Sequence, residues 1–231
     1  ESQLDRSNAL KMFKKMPDDQ IIFGTRRGGV YNYDYKTQRI DKKEYYNSNI
    51  YSTEIGPNGE LWLGSRGDGL MIDGKWYINN SNDNSSLANN NIFTILKDSK
   101  NRMWIGTFGG GLDLAIKDKD GYHFKHFFNK SYSQKQIRVI EQDKKGWLWV
   151  GTSDGVYIFN PDSMIASSDN YYTYNYKNGK MLSNEIKCIF QDSKGRMWMG
   201  ASGKGFCICI PNGDYKNPTF KYYNTSNGLV N

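Results

Sequence analysis

An all-β fold, made by repeating one four-stranded unit five times, is what this 231-residue chain predicts. Three observations predict it. The strings Ile21-Ile22-Phe23-Gly24-Thr25, Leu61-Trp62-Leu63-Gly64-Ser65, Met103-Trp104-Ile105-Gly106-Thr107, Leu148-Trp149-Val150-Gly151-Thr152 and Met197-Trp198-Met199-Gly200-Ala201 are copies of one motif. Their glycines are spaced by 40, 42, 45 and 49 residues, a period that belongs to stacked or radial repeat architectures. Aromatic residues reach 15%, with 17 Tyr and 24 Gly, while hydrophobic residues stop at 37%. That mixture suits short strands and many turns.

The fourth unit shows the elements in order. Ile137-Arg138-Val139-Ile140-Glu141 reads as a first strand rich in β-branched residues. Asp143-Lys144-Lys145-Gly146 is a turn, because Asp accepts backbone hydrogen bonds and Gly adopts positive φ. Leu148 to Thr152 is the second strand, Ser153-Asp154-Gly155 a turn, and Val156 to Phe159 the third strand, stopped by Asn160-Pro161-Asp162. Tyr171 to Tyr176 is the fourth. The other units keep this register. Ile50, Ile92, Ile137 and Ile186 stand 12 positions before a tryptophan, and Asp98, Asp143 and Asp192 stand six before. Gly59, Gly146 and Gly195 precede theirs by three, with Asn101 in the same slot. The first unit is looser: Phe23 is read in the tryptophan position, Gln20 in that of the turn glycine, and Pro17-Asp18-Asp19 as its turn.

A four-stranded sheet of this size cannot bury both faces alone, so the units must stack face to face around an axis, as in a β-propeller. The five blades are placed at about 10–46, 49–80, 91–129, 136–176 and 185–224, within one domain spanning 1–231. The repeated tryptophan should fill the space between neighbouring sheets. The glycine two positions later should allow close backbone approach. No helix longer than a turn or two is expected.

The pattern Asn-x-Ile, Asp-x-x-Gly, Leu-Trp-Ile-Gly-Thr, Gly-Gly-Leu resembles the two-component regulator propeller repeat. It is clearest from Asn91-Ile92 through Asp98 to Thr107 and on to Gly109-Gly110-Gly111-Leu112, and again from Asn184-Glu185-Ile186 to Gly200. In that family such repeats form the periplasmic sensor of membrane histidine kinases, often hybrid two-component systems that sense oligosaccharides, with propellers usually of seven blades. The resemblance implies a non-catalytic sensor segment whose kinase module lies elsewhere. It also implies pairing of subunits through the full-length sensor, and membrane attachment only through segments outside this chain. Five blades then read either as part of a seven-bladed propeller or as a five-bladed ring; the ends at Glu1 and at Asn227-Gly228-Leu229-Val230-Asn231 read as cuts in a longer protein and favour the first.

Composition narrows the function classes. Net charge is +7, but Lys and Arg are scattered and form no dense block, which argues against nucleic acid. The charge fits a Lys-rich surface or an acidic glycan partner. No run of 18 apolar residues is present. Cys188, Cys207 and Cys209 give no disulfide framework and are read as small buried hydrophobes. Trp76 and Trp147 lie outside the motif register and read as partly buried strand residues, the competing reading being a ring that stacks on a sugar.

No catalytic, metal or cofactor site emerges. His123 and His126 sit three apart on a predicted strand and face opposite sides. The Gly67-Asp68-Gly69 and Gly109-Gly110-Gly111 clusters lie between strands, not before a helix, so they are turns and not phosphate loops. Asp118-Lys119-Asp120-Gly121 opens like a calcium loop but has Asn129 at the twelfth position. The binding-site expectation rests on two loop sets at one end of the blades. Arg26, Arg66, Asp68, Phe108, Asp154 and Lys204 fall between second and third strands. Asn49, Asn91, Gln136 and Glu185 fall just before first strands. Such side chains hydrogen-bond and stack on sugars. The expected ligand is an oligosaccharide, acidic if it matches the net charge. The other function classes are a protein-interaction or dimerisation scaffold and a propeller lyase or hydrolase.

Overall fold

The computed structural model describes residues 9–16, 20–26, 29–42, 48–181 and 183–229. The proposed turn at Pro17-Asp18-Asp19 and the last two residues, Val230 and Asn231, lie outside them. The chain divides into two compact units, Glu1–His126 and Phe127–Asn231.

In the first unit, blade 1 is β1 (Leu10–Lys15), β2 (Ile21–Thr25), β3 (Gly29–Asp34) and β4 (Arg39–Lys42). Blade 2 is β5 (Ile50–Ile55), β6 (Leu61–Ser65), β7 (Leu70–Ile72) and β8 (Lys75–Tyr77). Blade 3 is β9 (Ile92–Lys97), β10 (Met103–Thr107), β11 (Gly111–Lys117) and β12 (Tyr122–Phe127), whose last residue belongs to the second unit. The second unit holds blade 4, formed by β13 (Ile137–Gln142), β14 (Leu148–Thr152), β15 (Gly155–Phe159) and β16 (Tyr172–Tyr174). Blade 5 is β17 (Ile186–Gln191), β18 (Met197–Ala201), β19 (Gly205–Ile210) and β20 (Thr219–Tyr223). All five sheets are antiparallel meanders in sequence order, the blades of a β-propeller. One short helix, α1 (Pro161–Ala166), follows β15; Asn160 caps it by accepting from the Asp162 and Ser163 amides, with Pro161 in its first turn.

Alternation along the motif strand decides what each blade buries. Trp62, Leu70 and Ile72 leave one face of blade 2 and join Ile92, Ile95, Met103 and Ile105 of blade 3 in one core cluster. Leu63 and Met71 leave the opposite face and pack with Met12, Ile22, Val30 and Ile50 against blade 1. In the second unit Trp149, Val156 and Ile158 meet Ile186, Met197 and Met199 of blade 5. Trp62, Trp104 and Trp149 are fully buried. Trp198 is only half-buried; it stacks on Phe206 at 5.4 Å, which stacks on Tyr223 at 4.9 Å.

The motif glycine and the isoleucine of the following blade interlock. A Cβ on Gly64 would lie 2.5 Å from Ile92 Cγ2, and one on Gly151 would lie 2.9 Å from Ile186 Cγ2. On Gly24 it would lie 3.0 Å from the Ile50 carbonyl oxygen. The first-strand isoleucine therefore recurs because it seats on the preceding blade's glycine.

The structure corrects the register of blade 1. Gly24 takes the motif-glycine role, so Ile22, not Phe23, occupies the tryptophan slot; Ile22 is buried against blade 2, while Phe23 points to the other face and stacks on Tyr31 at 5.3 Å. With the slot at Ile22, the turn-glycine position is Asp19, outside the described residues, and not Gln20; the Gln20 side chain accepts from Asn32 Nδ2. Cys188 is a second correction. It is exposed, opposite Gly200 on the face that carries the half-buried Trp198. Cys207 and Cys209 are buried free thiols, and burial pushes Cys207 up to about 12. The fourth strand of blade 4 covers only Tyr172–Tyr174, leaving Tyr176 exposed.

Three of the four motif indoles rest on the hairpin aspartates, a role the sequence reading missed. Asp98 Oδ1 accepts from the Lys100 and Arg102 amides at 2.9 and 3.0 Å, which is the expected turn role. Its Oδ2 also accepts from Trp104 Nε1 at 2.9 Å. Asp143 holds Trp149, and Asp192 holds Trp198, at the same distance. The Trp198 indole N–H, with the help of Arg196 and against the opposing effect of desolvation, holds the Asp192 carboxyl well below the usual range. Blade 2 has Gly56 in that slot. The Glu60 side chain folds into the space, since a Cβ on Gly56 would sit 2.5 Å from its Cδ, and it accepts from the Asn58 amide at 2.8 Å. Tyrosines of the following blade complete two of these sites: Tyr122 donates to Glu60 Oε1 at 2.6 Å, and Tyr215 to Asp143 Oδ2 at 2.6 Å.

Candidate functional site

The two predicted loop sets meet in every blade through one recurring backbone bond. Just past the motif strand, the Arg26 amide donates to the Ala9 carbonyl at 2.9 Å, Arg66 to Asn49 at 2.8 Å and Phe108 to Asn91 at 2.8 Å. Ser153 donates to Gln136 at 3.2 Å and Ser202 to Glu185 at 2.9 Å. The motif Thr closes the loop beyond: Thr107 Oγ1 donates to the Gly111 carbonyl at 2.8 Å, and Thr152 Oγ1 to that of Gly155 at 3.1 Å. Gly155 itself needs positive φ (101°), and its Cα passes so near the Tyr174 carbonyl that a Cβ would lie 2.2 Å away.

A bulge follows at once on the first strand. The pairing register shifts between Leu10 and Met12, Ile50 and Ser52, Ile137 and Val139, and Ile186 and Cys188; in blade 3 the shift falls at the same place, opposite Gly106 and Thr107. An extra residue in one strand is left out of the ladder and its side chain is re-aimed. That residue is Lys11, Tyr51, Phe93, Arg138 and Lys187 in the successive blades, a row of cations and aromatics that no periodicity marks.

In the first unit this row and the loops form one cluster. Tyr51 and Phe93 lie 5.3 Å apart between ring centroids, and Phe108 stacks on Phe93 at 5.1 Å. The Arg66 guanidinium stands 6.0 Å from the Tyr51 centroid and 5.9 Å from that of Phe93, with Nη1 3.5 Å from the Tyr51 hydroxyl. The Lys11 ammonium lies 5.6 Å over Tyr51. Asn91 donates from its Nδ2 to Asn89 Oδ1 at 2.9 Å, fixing the approach to β9. The structure thus gathers Arg66, Asn49, Asn91 and Phe108 of the predicted residues. Arg26 and Asp68 are exposed; the Asp68 amide donates to Ser65 Oγ at 2.8 Å.

In the second unit the corresponding charges are paired internally. Arg138 Nη2 lies 2.5 Å from Glu185 Oε1, and Lys187 Nζ 3.9 Å from the same oxygen. Asp154 Oδ2 accepts from the Tyr157 hydroxyl at 2.9 Å; burial and then this carboxylate push the phenol well above its ordinary value. Gln136 is buried and Lys204 exposed. Trp147, out of register, packs on Tyr215 at 4.4 Å, while Trp76 is exposed on β8.

Both histidines are engaged. His123 Nδ1 lies 3.2 Å from Asp118 Oδ2. His126 Nδ1 lies 2.7 Å from Asp113 Oδ1, and its Nε2 lies 2.8 Å from the Asn84 carbonyl. The second Asp113 oxygen accepts from the Ala88 amide at 2.9 Å, so the pair ties the connection between blades 2 and 3 onto blade 3. Among the described residues no group of three His, Cys, Asp or Glu is placed to hold a metal ion. The Asp113 hydrogen bond raises the His126 pKa above its ordinary 6.5. A raised folded value stabilises the fold below about pH 6.5, and this contribution is lost as pH climbs through the raised value. NMR titration of the His126 ring should give a value above 6.5, and Asp113→Asn should bring it down; an unchanged titration in the variant would show that the pair carries no linkage.

Residues 86–109, 131–154 and 180–203 match the two-component regulator propeller repeat. The chain is 30% identical over 130 residues to histidine kinase P4 of Formosa agariphila, a match covering 49% of the chain and 10% of that protein. It superposes on the extracellular domain of a hybrid two-component system of B. thetaiotaomicron with a TM-score of 0.75 at 23% identity, covering 96% of this chain and 29% of that one. Virginiamycin B lyase of Staphylococcus aureus superposes with a TM-score of 0.65 at 12% identity, covering 96% of this chain and 73% of the lyase. At these identities the two superpositions report fold. The chain spans a tenth of the kinase and less than a third of the extracellular domain. No helix among the described residues is long and apolar enough to cross a membrane.

Proposed function

We propose that this propeller segment is the ligand-sensing part of a periplasmic input domain of a hybrid two-component sensor kinase, and that it binds an oligosaccharide. The observation that carries the reading is the cluster at the β5 and β9 bulges. Three aromatic rings and a guanidinium meet at the end where the clamped loops converge. Ring faces suit the C–H faces of sugars, and fixed polar groups orient hydroxyls. The repeat family and the resemblance to an extracellular domain of a hybrid two-component system support the same reading. Binding alone is required of this segment: a ligand that prefers one arrangement of the sensor shifts a kinase located elsewhere in the chain. The signal would pass through paired subunits and a membrane segment outside these residues, without nucleic acid.

A thermal-shift screen against neutral and acidic oligosaccharides tests the proposal. The melting temperature should rise with ligand concentration, by an amount equivalent to about 2.7 kcal/mol at a hundredfold excess over Kd. Turnover of the saccharide would favour the lyase or hydrolase reading instead. Self-association with no saccharide shift would favour the scaffold.

A further inference from the structure

Lys11 and Arg66 of the first unit lack what Arg138 and Lys187 of the second unit have. Arg138 and Lys187 share Glu185. Lys11 and Arg66 have no carboxylate within ion-pair distance among the described residues; their recorded partners are ring faces and the Tyr51 hydroxyl. Arg66 is exposed, and so is Lys11. An exposed cation–π contact is weak, whereas a guanidinium grips a carboxylate or sulfate with two parallel charge-assisted hydrogen bonds. Tyr51 carries two cations, one from blade 1 and one from the β6–β7 loop, so two positive charges converge on one aromatic ring.

We infer that Lys11, Tyr51, Arg66, Phe93 and Phe108 form a subsite for an acidic sugar residue, with Arg66 and Lys11 taking its carboxylate or sulfate and the rings taking its apolar face. This rests on the saccharide reading above and adds the ligand's charge and the residues that select it. Of the five, Lys11, Tyr51 and Phe93 come from the bulge row and not from the loops. The bulge makes the site possible: a regular β5 and β9 would return these side chains to the ladder's alternation, where the neighbouring slots are taken by Ile50 and Ile92 in the core.

Calorimetry on the whole chain with trigalacturonate, its methyl ester and a sulfated chondroitin disaccharide tests the inference. At least one acidic probe should bind, with affinity falling as salt rises, and the ester at least tenfold more weakly than trigalacturonate if the carboxylate is the recognised group. A preference for the sulfated probe would assign the sulfate. Arg66→Gln and Lys11→Gln should each weaken the acidic probe at least fivefold, and Tyr51→Ala should weaken all saccharides. Lys221→Gln, on the outer strand of blade 5, should change nothing. Circular dichroism and an unshifted melting temperature would confirm that each variant is folded. Equal binding of ester and acid, with Arg66→Gln unaffected, overturns this inference and leaves the saccharide reading intact. Failure of every saccharide overturns both.

Discussion

Asp143→Ala should be the most damaging single substitution away from the hydrophobic core, lowering stability by about 4 kcal/mol. Four donors converge on this one buried carboxylate. Oδ1 takes the amides of Lys145 and Trp147 at 2.9 and 3.0 Å, and Oδ2 takes Trp149 Nε1 at 2.9 Å and the Tyr215 hydroxyl at 2.6 Å. Water can reach the exposed turn after truncation, but Trp149 and Tyr215 are buried and their donors would be stranded. Each stranded group costs roughly 1–3 kcal/mol. The partner truncation gives a sharp contrast. Tyr215→Phe removes a donor and leaves the ring packed at 5.8 Å from Trp149, so it should cost only about 1 kcal/mol. Urea denaturation of the two variants checks both values. A loss below about 1 kcal/mol for Asp143→Ala would mean that the carboxylate is a turn former and nothing more.

Gly64→Ala should cost about 3 kcal/mol, far beyond the usual effect of a methyl group on a strand. The added carbon would lie 2.4 Å from Ser52 Oγ, 2.5 Å from Ile92 Cγ2 and 2.9 Å from Ile92 Cβ. Ser52 Oγ can turn away about χ1, but Ile92 Cβ cannot withdraw without moving β9. Ile92→Ala, by itself a buried large-to-small change, should also cost about 3 kcal/mol. The double variant is the informative measurement: if the two side chains compete for one volume, its loss falls at least about 1 kcal/mol short of the sum. Strict additivity would refute the interlock.

How much of this was legible in the sequence depends on whether a feature repeats in register. The five sheets, the buried Trp62, Trp104 and Trp149, and the convergence of Arg66 and Phe108 with Asn49 and Asn91 all follow from spacing. Blade 1 was misread because an aromatic was matched to an aromatic, although the glycine fixes the register and a one-residue slip exchanges the two faces. The Asp98–Trp104 tether spans six residues across a hairpin, and spacing alone could not tell a turn former from an indole acceptor. Glu60 was hidden further, because the carboxylate had moved from the turn to the residue two before Trp62. Tyr51 and Phe93 were missed because a bulge breaks the alternation that sequence patterns rely on.

Moving the carboxylate from position 56 to Glu60 leaves Trp62 Nε1 buried without an acceptor, the blemish that the equivalent indoles of blades 3, 4 and 5 do not have. The boundary between blades 2 and 3 therefore lacks one hydrogen bond that its counterparts make, while Tyr51 and Phe93 meet across that same boundary at its loop end. A molecule resting on both rings would strap the two blades together, so occupancy and local breathing become two readings of a single spring.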